Sequence, residues 1–124
     1  MREHKYRGKC TPESKYAGEW VVGSLVVCED GTTLIVCAIN DHNTTTYHVI
    51  PETVGEWTGR YDKSEPPKDI YEGDIIEVLG SRMAVTYVNS SFRLRECTLA
   101  CYDTNSIEVI GNIHDNPDMI SDFV

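Results

Sequence analysis

The chain predicts a mainly β protein. Its apolar residues recur at period two or in short runs, the spacing of strands whose side chains alternate between two faces. Gly, Asp, Asn and Ser bound those runs, as turns require. A double proline at Pro66-Pro67 then divides the 124 residues. The expected architecture is an N-terminal β-hairpin and sheet subdomain over 1–63, followed by a C-terminal small barrel with a short terminal helix over 64–124.

The first segment is basic. In a strand, Lys5, Arg7 and Lys9 share one face, a stripe suited either to a phosphorylated ligand at a subunit interface or to a solvated edge that discourages strand addition. Residues 20–28 and 33–39 are the next two strands. Asp30-Gly31 between them is a favoured pair for a type I′ turn, where both central residues take positive φ. A polar loop at 40–43 leads to a β-branched strand at 44–50, which ends where Pro51 lacks the N–H for ladder pairing.

Residues 64–68 read as an extended connector, since consecutive prolines favour polyproline II geometry. Beyond it, 74–79, 82–88, 91–95 and 106–110 are four strands, with Gly80-Ser81 and Asn89-Ser90 as turn signals between the first three. Short strands with tight turns suit one sheet curled on itself, which removes its edges. Glu72-Gly73-Asp74 before Ile75-Ile76 also resembles the turn that opens strands in SH3-like barrels. Residues 96–102 fit helix or strand. Asn116-Pro117-Asp118 has a capping residue, then proline at the first helical position, then an acid, predicting a turn or two of helix over 117–123.

Composition narrows the function. The net charge of −9 repels polyanions, so general nucleic-acid binding is disfavoured. Charge is uneven: Arg2, Lys5, Arg7 and Lys9 crowd one end, while six acids and no lysine or arginine follow Arg95. That polarity suits packing within a chain or between subunits, or simply two solvated faces. No stretch approaches the roughly 18 apolar residues of a membrane span, and the first residues are charged, so neither membrane nor secretion is expected. Five cysteines without a Cys-x-x-Cys pair fit neither a disulfide framework nor a zinc ribbon. They read as reduced core thiols, Cys28 and Cys37 lying in apolar runs.

No nucleophile elbow or phosphate-binding glycine loop occurs. Asp62, Asp69, Glu72 and Asp74 cluster, but their spacing matches no EF-hand, and Asp74 after Gly73 is better explained as a turn residue. The four histidines are scattered. The expectation is therefore no catalytic residue, no metal and no cofactor. A metal-dependent phosphodiesterase is the enzyme reading with most to say for it.

Trp57, Arg60 and Tyr61 form the most suggestive local group. Indole and phenol rings offer stacking faces and a guanidinium offers a fork for phosphate or carboxylate. Arg7, Trp20 and Tyr71 complete the candidate ligand-binding set. Against it stands a structural role, with Trp57 plugging a seam and Arg60 paired to an acid.

The run Trp57-Thr58-Gly59-Arg60-Tyr61-Asp62-Lys63, continued by Ile70-Tyr71-Glu72-Gly73-Asp74-Ile75-Ile76, resembles the signature of the YopX family. The opening residues 1–9, the run 107–113 and Asn116-Pro117 fall in the same order. The resemblance implies a small phage or prophage protein with an SH3-like barrel in its second half, working in the cytoplasm of an infected bacterium. It supplies no reaction. The functional expectation is a non-enzymatic binding protein, a homo-oligomeric anti-defence sponge that sequesters a nucleotide-derived immune signal. The alternative is an acidic protein-interaction module docking on a host or phage nucleic-acid enzyme.

Overall fold

The computed structural model describes residues 3–120. Arg2 of the basic group and 121–123 of the expected terminal helix lie outside them. The chain forms two compact units, Met1–Glu56 and Trp57–Val124. Both are built on antiparallel sheet, and the described helical segments are single 3-10 turns.

In the first unit, β1 (Tyr6–Lys9), β2 (Trp20–Val27), β3 (Thr33–Ala38) and β4 (Thr44–His48) form a sheet in the order β4-β3-β2-β1. Gly55 and Glu56, the start of β5 (Gly55–Tyr61), pair with β1 on its other side. The β1 strand is therefore an interior strand, which overturns the solvated-edge reading for Arg7 and Lys9; Lys5 precedes the strand. Cys10, Ile35 and Val49 are buried here. Gly23 interrupts the valine run of β2 because a Cβ there would stand 2.3 Å from the Val36 carbonyl oxygen.

The β2–β3 hairpin forms, but its turn is not type I′. Gly31 takes φ +91° while Asp30 does not take positive φ. The loop closes as a wider turn, with the Gly31 N–H on the Cys28 carbonyl and the Thr32 N–H on Asp30 Oδ1. The aspartate side chain supplies a bond that a two-residue turn lacks room for. That loop also leaves Cys28 exposed. With Cys97 and Cys101 exposed as well, only Cys10 is a buried thiol, which corrects the core-thiol reading for three of the five. Burial pushes the Cys10 and Cys37 thiols up, with Glu19 adding to the effect at Cys10.

In the second unit, Trp57 and Tyr61 of β5 pair with β6 (Asp69–Tyr71). Then β7 (Asp74–Val78), β8 (Ser81–Val88), β9 (Ser91–Leu94), β10 (Cys97–Thr98) and β11 (Glu108–Asn112) form a five-stranded sheet in the order β10-β9-β8-β7-β11. Ile70, Ile76, Val78, Met83, Val85, Leu94, Leu99 and Ile107 make its core. The expected closed barrel is not formed. Closure needs the two terminal strands to pair, whereas β10 has two residues before a 3-10 turn at Leu99–Cys101, and β11 breaks register between Val109 and Gly111. The terminal helix is one 3-10 turn, Pro117–Met119, among the described residues. Its expected cap, Asn116, instead accepts the Asn112 N–H on Oδ1 at 3.2 Å.

Candidate functional site

The six residues nominated from sequence fall into two groups, one in each unit. In the first, the Arg7 guanidinium lies 4.9 Å from the centroid of the Trp20 ring, a cation–π contact between β1 and β2. In the second, β5 carries Trp57, Arg60 and Tyr61. Gly59, at φ +87°, lets the strand bulge, because Trp57 and Tyr61 are four residues apart while their partners Tyr71 and Asp69 are two apart.

That bulge decides what each side chain does. Trp57 is 8% exposed, meets Tyr61 edge to face at 5.6 Å and donates its indole N–H to the Arg60 carbonyl at 3.2 Å. Tyr71 is buried opposite it. The Arg60 guanidinium donates to the Leu99 carbonyl, to the Tyr102 carbonyl at 2.7 Å and to Thr104 Oγ1 at 3.2 Å. Arg60 thus clamps the irregular chain from 99 to 104, satisfying carbonyls that no strand pairs. Of this group only Tyr61 presents a large exposed surface.

The acids behave similarly. Asp62 is 2% exposed. Its Oδ1 accepts the N–H groups of Ser64 and Lys68 at 3.0 and 2.8 Å, and its Oδ2 accepts the Ser64 hydroxyl and the Val109 N–H at 2.8 and 2.9 Å. Burial pushes this carboxyl up, but the bonds from Val109, Lys68 and Ser64 together outweigh it and hold the group below the ordinary carboxylate range. Asp74 accepts the Tyr71 N–H at 2.7 Å, a turn role. Among the described residues no group of three or more His, Cys, Asp and Glu is placed to hold a metal ion.

An open groove of about 940 Å³ lies in the second unit, bordered by Leu79, Arg82, Ala84, Arg95, Cys97 and Tyr102. None of the six nominated residues lines it. Three two-residue hairpins explain its shape. The pairs Val78↔Ser81, Val88↔Ser91 and Leu94↔Cys97 close loops at Leu79-Gly80, Asn89-Ser90 and Arg95-Glu96. Because β7 and β9 run the same way, the first and third loops lie at one end of the sheet and Asn89-Ser90 at the other. The turn signal expected at Gly80-Ser81 sits one residue earlier.

Leu79 and Arg95 both take positive φ, 52° and 58°. Hairpin turns reserve such positions for Gly, Asn or Asp, since a Cβ crowds the backbone there. Leu79 is also 91% exposed. The Arg95 loop is held by Arg93, whose Nη1 donates to the Glu96 carbonyl at 3.1 Å. Tyr102 gives the groove a phenol whose pKa is raised by burial and by the neighbouring Cys97 thiol.

A smaller pocket of about 440 Å³ lies in the first unit beside Lys15, Tyr16, Tyr47 and His48. Its two tyrosines meet edge to face at 5.4 Å, and the Lys15 ammonium already covers Tyr16 at 5.1 Å. The groove was legible in principle: a leucine before Gly80 and an Arg-Glu pair between strands both contradict turn chemistry, and no motif marks them.

Among the described residues no helix is long and apolar enough to cross a membrane. A search of curated proteins returned no match. The family model described as YopX protein matches residues 5–121, nearly the whole chain. The chain belongs to the YopX family.

Proposed function

We propose that the protein is a phage-encoded, non-enzymatic binding protein that works in the cytoplasm of the infected host by docking on another protein through the groove of its second unit. One observation carries this reading. Leu79 is a large aliphatic side chain held almost fully in solvent on a backbone conformation that disfavours it, at the mouth of an open groove. An exposed leucine is ordinary by itself; at the border of a groove lined with apolar side chains it extends the apolar surface that a partner covers. The net charge of −9 adds a long-range attraction toward basic proteins, the class that includes nucleic-acid enzymes of host or phage.

The anti-defence sponge is a second reading, and it moves to this groove. A volume of about 940 Å³ falls in the range of small-molecule sites, and Arg82, Arg95 and Tyr102 supply charges and a ring for an anionic, aromatic nucleotide derivative. It loses the support of Arg60 and Trp57, which are engaged within the fold. In both readings the chain assembles as a homo-oligomer.

Native mass spectrometry of the protein recovered from phage-infected cells tests the choice and counts subunits. A stoichiometric polypeptide partner is the expected result. A retained mass of several hundred daltons per chain supports the sponge instead, and bare protein contradicts both.

A further inference from the structure

The groove exists because β8 is longer than its neighbour. Strand β9 pairs only with Val85 to Val88, while Ser81 to Ala84 pair with β7 alone. Four residues of β8, about 13 Å of strand, thus have a side that no strand pairs among the described residues. Which backbone groups face it follows from register. In an antiparallel hairpin with a two-residue loop, the closing pair exchanges both hydrogen bonds and alternate pairs do so thereafter. Ser81 and Met83 therefore bond toward β7. The Val85 carbonyl continues that alternation, accepting the Gly73 N–H at 2.9 Å on the same side. Arg82 and Ala84 direct their N–H and C=O groups the other way, and among the described residues no backbone group bonds to them.

Four aligned backbone groups on an open edge form a template for one more strand. Native proteins blunt such edges with short strands, bulges or covering loops; here the edge is instead bordered by a groove. The borders state the chemistry of the occupant. Leu79 supplies an apolar contact at one end. Arg95 stands beside the groove, and Arg82 is held only loosely by Glu77, 3.8 Å away with both side chains largely exposed. Two guanidiniums against the one carboxylate of Glu96 leave the groove's lining net positive on an otherwise acidic chain, which favours a carboxylate on the occupant.

We infer that this notch is a strand-addition site: an extended segment of a partner protein pairs with the backbone of Arg82 and Ala84, sets a carboxylate near Arg95 and packs an apolar side chain on Leu79. Main-chain bonds give such a complex its affinity, and the flanking side chains give its register and sequence preference. The inference rests on the reading that the target is a protein.

Six acetylated, amidated hexapeptides of alternating Thr and Val test it, with one Glu moved through the six positions. Calorimetry and residue-resolved amide hydrogen exchange are the readouts. At least one peptide binds, its Lys counterpart and its counterpart N-methylated at alternate residues each bind at least about tenfold more weakly, and exchange slows at Arg82 and Ala84. Leu79→Asn, which suits its turn and keeps the fold, also weakens binding by about tenfold. Absence of binding by all six peptides overturns the site, as does indifference to N-methylation or protection confined to other residues. A dimer paired through this edge overturns it too, since the occupant is then a second copy. A protein partner that leaves exchange at Arg82 and Ala84 unchanged removes the strand-addition site but not the protein-binding reading; that reading fails if infected cells yield no protein partner.

Discussion

Two regions of the second unit treat their polar groups in opposite ways. Around Asp62 and Arg60 every strong group is matched: a carboxylate accepts four bonds and a guanidinium donates three. At the groove, strand β8 has backbone groups with no backbone partner among the described residues, and Leu79 and Arg95 occupy positions that turn chemistry gives to smaller residues. At the far end of the same sheet, Asn89 and Ser90 take φ 51° and 65° with residues better suited to a turn. The lesson is that charge and aromatic content, which make 57–62 look like a site, here mark a well-satisfied joint. Broken local rules are the better marker of function, since a sequence agrees with its fold at every level except where something else is selected.

The comparison is broken most forcefully at the joint. Asp62→Ala strands three backbone N–H groups and a hydroxyl, and is expected to lower stability by about 3–5 kcal/mol in a urea titration. A loss within about 0.5 kcal/mol removes the joint from the account. Arg60→Met leaves the Tyr102 carbonyl to water or to no partner and the Leu99 carbonyl with the Tyr102 N–H alone, and should cost about 2 kcal/mol. Its effect on peptide binding should be no greater than its effect on folding predicts.

Acid sharpens the same contrast. The folded-state pKa of Asp62 is depressed, so its contribution is complete above the unfolded value of about 3.9 and is lost as pH falls through the lower folded value. Melting temperature followed below pH 4 should therefore fall more steeply for the native chain than for Asp62→Asn. Parallel curves would show that the carboxylate is not held as described.

At the groove the sign reverses. Leu79→Asn and Arg95→Gly relieve strained turns, so each is expected to stabilise the fold by about 0.5–1 kcal/mol. Destabilisation by either would mean that the side chain already has a structural role within the chain.

The β character was legible because short apolar runs at 20–28 and 33–39 and period-two runs at 44–50 and 82–88 dictate strands nearly to the residue. Strands β5, β6 and β10 were not. Gly59 breaks the period of β5, and the others have three and two residues, too few to show one. Barrel closure was not legible either, since it depends on whether two strand ends meet, which neither alternation nor turn signals report. For the site, the residues named in advance were those with the richest chemistry. The proposed strand-addition site uses Arg82 and Ala84 through their backbones, which carry no sequence signal.

Site-specific photo-crosslinking in phage-infected cells separates the groove from the aromatic joint as the binding surface. A photoreactive phenylalanine analogue replaces Leu79 in one chain and Tyr61, the exposed member of the aromatic joint, in another. One discrete protein adduct from position 79 and none from position 61 is the expected result. An adduct from position 61 with position 79 silent would contradict it, placing binding at the aromatic joint.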